Sequence, residues 1–213
     1  NTPYDGKTNL SVIVPCYNSS AFVERLAGQL MNQKTKYKYE IIFVDDGSTD
    51  DTADKLRKLL NWGGGIRFIQ QKNQGAGAAR NTGIDLAVGE YIAFVDSDDE
   101  VTELFIEKVL DAAYNDKADI VKCRYSAKLN GKIFRTEEAW GYIWGGVYHR
   151  NIFQNVRFPV GYWYEDMINP FLLSSQTQKQ SLVHDILCFK NKHSGNLRSE
   201  ERRVGKECRS RWS

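Results

Sequence analysis

The chain has 213 residues, 41% of them hydrophobic, and its 29 basic and 27 acidic side chains leave a formal net charge of +2. That length is enough for one large domain with a sizeable core, and so small a charge excess is not the strong basic bias expected of a dedicated nucleic-acid binder. The four cysteines, Cys16, Cys123, Cys188 and Cys208, form no CxxC pair, which argues against a zinc ribbon or a thioredoxin-like motif. No signal peptide and no long apolar run is present, so the expectation is a cytoplasmic protein with free thiols.

In chain order, residues 10–14 (Leu-Ser-Val-Ile-Val) are mostly β-branched and predict a first buried strand. Pro15 is expected to end it, because proline cannot donate to a central ladder. Ser19 or Ser20 would cap the next helix, whose apolar face is Phe22, Leu26 and Leu30. Residues 39–44 predict a second strand. Ser48 and Asp51 fit a capping box for a helix with Ala53, Leu56 and Leu60 on its face. Gly63, Gly64 and Gly65 make a break before a third strand at 66–70. Residues 73–83 are small and predict a helix that lies close to the sheet, with Arg80 its one cation.

Residues 91–95 read as a buried strand, and Asp96, Asp98 and Asp99 follow it directly. Three carboxylates within four positions repel one another, so a positive partner is expected. All-oxygen donors on a tight turn suit a hard cation such as Mg²⁺ or Mn²⁺. Equally, Ser97, Asp98 or Asp99 could cap a helix beginning near Thr102, with Phe105, Val109 and Ala112 on its face. Residues 120–125 predict a fifth strand, and Asn130-Gly131 predicts a hairpin turn. Aromatic residues crowd 140–163, residues 168–173 read as helical, and 182–189 predict a last strand. Residues 198–213 have almost no apolar periodicity. They resemble vector-derived read-through and are read as a non-native or disordered tail.

Strands alternating with helices predict an α/β fold with a mostly parallel sheet, and such sheets bind ligands at the carboxyl ends of their strands. Tyr17-Asn18, Asp45-Asp46, Asn73 and Asp96 to Asp98 all fall at those ends.

Four segments in this order resemble the family 2 glycosyltransferases of the GT-A fold: 11–18 (Ser-Val-Ile-Val-Pro-Cys-Tyr-Asn), 44–50, 73–81 and 94–99. Each is weak alone, and the resemblance spans about 8–197. It implies a Rossmann-like GT-A domain with a nucleotide-sugar-binding half at 8–125 and a smaller acceptor-binding half at 126–197. It further implies transfer of a sugar, with inversion, from a nucleotide diphosphate donor such as a UDP-sugar to a saccharide or lipid-linked acceptor. Cell-surface polysaccharide or glycolipid synthesis and peripheral association with the inner face of the membrane come with it; nucleic acid does not.

By the same resemblance Asp98 would hold Mn²⁺ or Mg²⁺, Asp96 the metal or the ribose, and Asp99 would stand behind them. Asp46 would accept the uracil imide N–H, a role open to a carboxylate. Tyr17 would meet the base and Arg80 the phosphates, with Pro15 and Ser97 also at the nucleotide-sugar site. Asp166, in the pair Glu165-Asp166, would be the general base. Lys190, Lys192 and His193 match a late basic loop, although Phe189-Lys190 stands where the family has a Tyr-Arg pair. Trp144 and Trp163 read as sugar platforms or as core.

Rival readings are weaker. A nucleotidyltransferase would show a glycine-rich basic loop after the first strand, whereas residues 15–20 hold neither glycine nor cation. A dinucleotide-binding dehydrogenase would show GxGxxG there. A non-catalytic sugar-nucleotide module would lack the base or the metal acids.

Overall fold

Side chains along the first strands are buried to both sides, which requires cover on both faces of the sheet. Leu10, Val12 and Val14 join a core with Leu26, Leu56 and Phe105 on one side, while Ile13 joins Ala79, Ile84 and Phe153 on the other. The computed structural model describes residues 5–63, 65–161 and 179–192. Within them lie strands β1 (Leu10–Cys16), β2 (Tyr39–Asp45), β3 (Ile66–Gln70), β4 (Tyr91–Phe94), β5 (Glu100–Val101), β6 (Ile120–Leu129), β7 (Lys132–Glu138), β8 (Gly146–His149) and β9 (Gln180–Lys192). The helices are α1 (Val23–Met31), α2 (Thr52–Leu59), α3 (Ala76–Leu86) and α4 (Phe105–Asp116).

All nine strands join one sheet in the order β3-β2-β1-β4-β8-β6-β9-β5, with β7 paired to β6. β3, β2, β1 and β4 are mutually parallel, in registers such as Val12 opposite Ile41 and Ala93. β8 lies antiparallel between β4 and β6, and β9 runs parallel to β6. The expected α/β architecture is therefore present, with antiparallel pairing confined to the later part. Asn130 (φ 51°) and Gly131 (φ 76°) make the tight turn between β6 and β7, as the Asn-Gly pair predicts.

Several local expectations change. β1 continues through Pro15, opposite Val44, to Cys16. Its pairing with β4 has already stopped at Ile13, so Pro15 has a single strand neighbour. α1 starts at Val23 without a side-chain cap from Ser19 or Ser20. The capping box is absent too, because α2 starts at Thr52 with Asp51 rather than Ser48 at the cap position, and the Ser48 hydroxyl donates to Asp45. Leu59, not Leu60, completes the buried face of α2, since the chain tightens into a 3₁₀ turn at Leu60. α4 begins at Phe105, and β5 stands between it and the acidic turn. Asp98 and Asp99 therefore do not cap α4, which removes one of the two readings of that cluster.

α3 carries Arg80 and lies close against β1, because Gly83 has no side chain. A Cβ there would collide with Ile13 Cγ2. Gly83→Ala is expected to destabilise the protein by about 1–3 kcal/mol in urea titration through overpacking, although alanine is by about 1 kcal/mol the better helix former. Ile13→Ala should relieve the clash in the double variant. A stabilised Gly83→Ala would show that α3 is not in close contact with β1.

Candidate active site

Because β1 is flanked by β2 and β4, the loops leaving the carboxyl ends of these three strands are neighbours, and side-chain hydrogen bonds knit them together. Asn18 (φ 49°) donates its N–H to Ser48 Oγ at 2.9 Å and accepts from Thr49 N at 2.8 Å. Ser19 and Ser97 share a hydroxyl contact of 2.7 Å, which ties the β1 loop to the acidic turn. Tyr17, 52% exposed at the end of β1, leaves its ring open to solvent. Pro15 is buried within the strand and Ser97 beneath the turn.

Asp46 is buried and holds the loop that leads into α3. Gln71 Nε2 donates to its Oδ1 at 2.8 Å, Gln74 N at 3.0 Å, and Gly75 N reaches Oδ2 at 2.7 Å. The carboxylate thus sits at the start of α3, where the helix dipole favours negative charge. Gly47 (φ 72°) lets the two loops meet, since a Cβ there would lie 2.8 Å from Asn73 N.

The acidic turn is closed by a hydrogen bond from Asp99 N to Asp96 O of 3.1 Å. Arg80 is 4% exposed, and its guanidinium donates to Asp96 Oδ1 at 3.1 Å while lying 5.4 Å from the Phe158 ring centroid. Asn81 fixes that phenylalanine through two backbone hydrogen bonds of 2.9 Å. A second cation comes from β9: Lys190 Nζ stands 3.8 Å from Asp96 Oδ2 and 3.7 Å from Asp99 Oδ2. Asn191 adds an N–H to Asp99 Oδ1 at 3.0 Å and an amide to the Asp98 carbonyl at 3.0 Å. Burial pushes the Asp99 carboxyl well above its ordinary range, Lys190 opposes that, and Asp98 and Asp96 add to it. Burial pulls the Lys190 ammonium down, but Asp99, Asp96 and Asp98 outweigh it and hold the proton on.

The structure therefore gathers Asp96, Asp98, Asp99, Arg80 and Lys190 at one edge, beside Tyr17 and the loop held by Asp46. Asp166, Glu165, Trp163 and His193 lie outside the described residues. Trp144 is a core residue, 2% exposed, so the sugar-platform reading falls away for it. Among the described residues no three His, Cys, Asp or Glu side chains are grouped to hold a metal ion. Mg²⁺ is usually held by one or two carboxylates together with substrate phosphates rather than by an all-protein cage. The oxygen donors of Asp96 and Asp98 fit that mode. Among the described residues, no hydrogen-bond donor reaches the buried Asp99 Oδ2.

Two contributors were not anticipated: Asn191, and Lys122 on β6. The Lys122 ammonium is buried and donates to the carbonyls of Tyr142 (2.7 Å), Ile143 (3.3 Å) and Trp144 (3.0 Å). Burial pulls its pKa down to about 7, with Cys123 and Cys188 opposing the shift. A single charge inside the apolar run of residues 120–123 was its available signal.

Residues 11–163 match the family described as Glycosyl transferase family 2. The uncharacterized glycosyltransferase YibD of Escherichia coli (strain K12) is 30% identical over 187 residues, covering 75% of this chain and 54% of that protein. The putative glycosyltransferase EpsH of Bacillus subtilis (strain 168) is 38% identical over 135 residues, 62% of this chain and 39% of that protein. This chain thus spans about half the length of such relatives or less. In fold it is similar to S. aureus TarS 1–349 in complex with UDP-GlcNAc, with a TM-score of 0.81 at 23% identity, over 90% of this chain and 61% of that one. The mannosyltransferase PcManGT from Pyrobaculum calidifontis, in complex with GDP-Man and Mn²⁺, gives 0.74 at 17% identity, over 91% and 60%.

Asp46 tests the loop architecture without any ligand. Asp46→Ala should cost about 3 kcal/mol of stability in urea titration, because it leaves two backbone N–H groups of the loop without their charged acceptor. A loss below about 1 kcal/mol would show that the loop does not depend on this carboxylate.

Proposed function

Since the chain belongs to glycosyl transferase family 2 and has the GT-A fold, we propose that it transfers a sugar from a UDP-sugar to a saccharide or lipid-linked acceptor hydroxyl with inversion. Cell-surface polysaccharide or glycolipid synthesis is the proposed setting. The observation that carries this reading is the convergence of the β1, β2 and β4 loops on one sheet edge with two cations, Arg80 and Lys190, at the acidic turn. The nucleotide-sugar complexes of TarS and PcManGT support the donor class.

In this mechanism the exposed Tyr17 ring meets the base. Asp46 accepts the imide N–H of uracil once the Gln71 amide turns aside, which keeps its backbone bonds to Gln74 and Gly75. Pro15 and Ser97 set the walls through their strand and hydroxyl ties. Arg80 and Lys190 face the diphosphate, where guanidinium and ammonium groups offset the charge that builds on the leaving group. Asp98, with Asp96, would hold Mn²⁺ or Mg²⁺, which supplies Lewis-acid stabilisation of the leaving diphosphate when bound. Asp96 also lies where the ribose is expected. Asp166, in the proposed acceptor half at 126–197, takes the proton of the acceptor hydroxyl as it attacks the anomeric carbon. No helix among the described residues is long and apolar enough to cross a membrane. A peripheral attachment to the inner membrane face belongs to the proposal.

UDP release should be measured against a panel of UDP-sugars with Mn²⁺ and a saccharide acceptor, and turnover should be seen with at least one donor. Asp98→Ala should lower transfer by about 100-fold or more and blunt the response to chelation. Asp166→Asn should lower turnover by about 10²–10⁴-fold and leave UDP-sugar affinity unchanged. Unaltered transfer in Asp98→Ala would sink the metal assignment, and lost nucleotide binding in Asp166→Asn would make that residue structural.

A further inference from the structure

Lys122 is a buried lysine on a central strand, and the mechanism above makes no use of it. Its surroundings are built around it. β8 begins at Gly146, opposite Lys122 in register, and a Cβ at Gly146 would meet Val121 O and, at 2.8 Å, Lys122 Cδ. Gly145 turns the chain there with φ 74°. The ammonium donates to three successive carbonyls, of Tyr142, Ile143 and Trp144, and lies 4.7 Å from the Tyr148 ring centroid. The Tyr148 hydroxyl donates to the Ile143 carbonyl at 2.8 Å as well.

The turn so pinned carries two side chains that touch the acidic site. The Tyr142 and Trp144 rings are stacked, with centroids 5.0 Å apart and planes at 27°. Lys190 Nζ rests 4.7 Å from the Trp144 centroid and 5.7 Å from that of Tyr142. On its other side the same ammonium faces Asp96 and Asp99. An ammonium between aromatic faces and carboxylates keeps little rotational freedom, because both surfaces attract the cation. Three buried carbonyls aimed at one point need donors at their focus, since buried polar groups left unpaired are costly.

We propose that Lys122 is a positioning residue of the donor site. It fixes the 142–144 turn, which seats the Tyr142–Trp144 pair, and that pair holds the Lys190 ammonium at the diphosphate position. The proposal rests on the nucleotide-sugar reading for the purpose of the positioning, but not for the coupling between the two lysines.

Two measurements on Lys122→Met test it, with Leu110→Ala in α4 as a core-destabilised control. The first is the rate of Lys190 acetylation by an N-hydroxysuccinimide ester, followed by mass spectrometry without nucleotide. It should rise about fivefold in Lys122→Met and stay at the wild-type value in Leu110→Ala. The second is the UDP dissociation constant by calorimetry below the melting transition. It should weaken about tenfold or more in Lys122→Met. In a Lys190→Met background the same substitution should add no further loss, the non-additivity expected of one route. Unchanged Lys190 reactivity overturns the proposal, as do additive losses of UDP affinity. If wild-type protein binds no UDP, the nucleotide reading fails, and the acetylation rates alone decide the coupling. Lys122→Gln, which keeps two donors, serves where Lys122→Met does not fold.

Discussion

Like charges close together at the end of a buried strand cost several kcal/mol, on the order of 4 kcal/mol for a pair 4 Å apart at an effective dielectric near 20. The turn at Asp96, Asp98 and Asp99 crowds three acids, whose neighbours help push the Asp99 carboxyl up, and the fold answers from both directions along the chain. Arg80 arrives from α3, ahead of the turn, and Lys190 from β9, far behind it. Neither cation could be supplied from the turn itself, so α3 must lie tight on β1 and β9 must run the length of β6. The glycine contact at Ile13 and the long parallel β6–β9 pairing are the structural terms on which the acids are tolerated.

The same demand explains why the loops are cross-tied. Ser19 and Ser97 share their hydroxyls, Ser48 Oγ takes the Asn18 N–H, the Asn18 amide oxygen takes the Thr49 N–H, and the Asp46 carboxylate holds the loop before α3. A residue that binds a ligand must first be held, and the polar residues at these strand ends serve as each other's supports. Ser48 shows the same use: its hydroxyl donates to Asp45 and accepts from Asn18 N, while α2 starts later, with Asp51 at its cap position.

Much of this was open to reading along the chain, because parallel strands buried on both faces announce themselves as apolar runs and their carboxyl ends are marked by polar residues. The strands at 10–14, 39–44, 66–70 and 91–95 and the clustering of Tyr17, Asp46 and Asp96 at one edge rest on that pattern. What stayed hidden depends on pairing between distant segments. The insertion of β8 between β4 and β6 has no periodic signature in four residues. The late basic loop names Lys190, but its contact with Asp96 and Asp99 shows only once β9 is laid beside β6. Lys122 is missed for the opposite reason: a lysine in a strand is normally at an edge or pointing outward, and only the three carbonyls of a later turn make its burial tolerable. Leu59 and Leu60 differ by one residue of phase, which the 3₁₀ turn after α2 decides and the helical repeat does not.

The placement of Lys190 on β9, late in the chain, also bears on how the protein is made. The acidic turn leaves the ribosome roughly ninety residues ahead of its second cation, which at 5–20 residues per second is a delay on the order of ten seconds. During that interval β1, β2, β3 and β4 can pair, yet Asp99 has neither Lys190 nor the Asn191 N–H, and one side of β6 has no strand against it. Until β9 pairs with β6 the nascent sheet lacks that strand, and the acidic turn has Arg80 without Lys190. Synthesis order thus makes β9 late among the described strands, and a chain arrested before it would lack the second cation of the acidic turn.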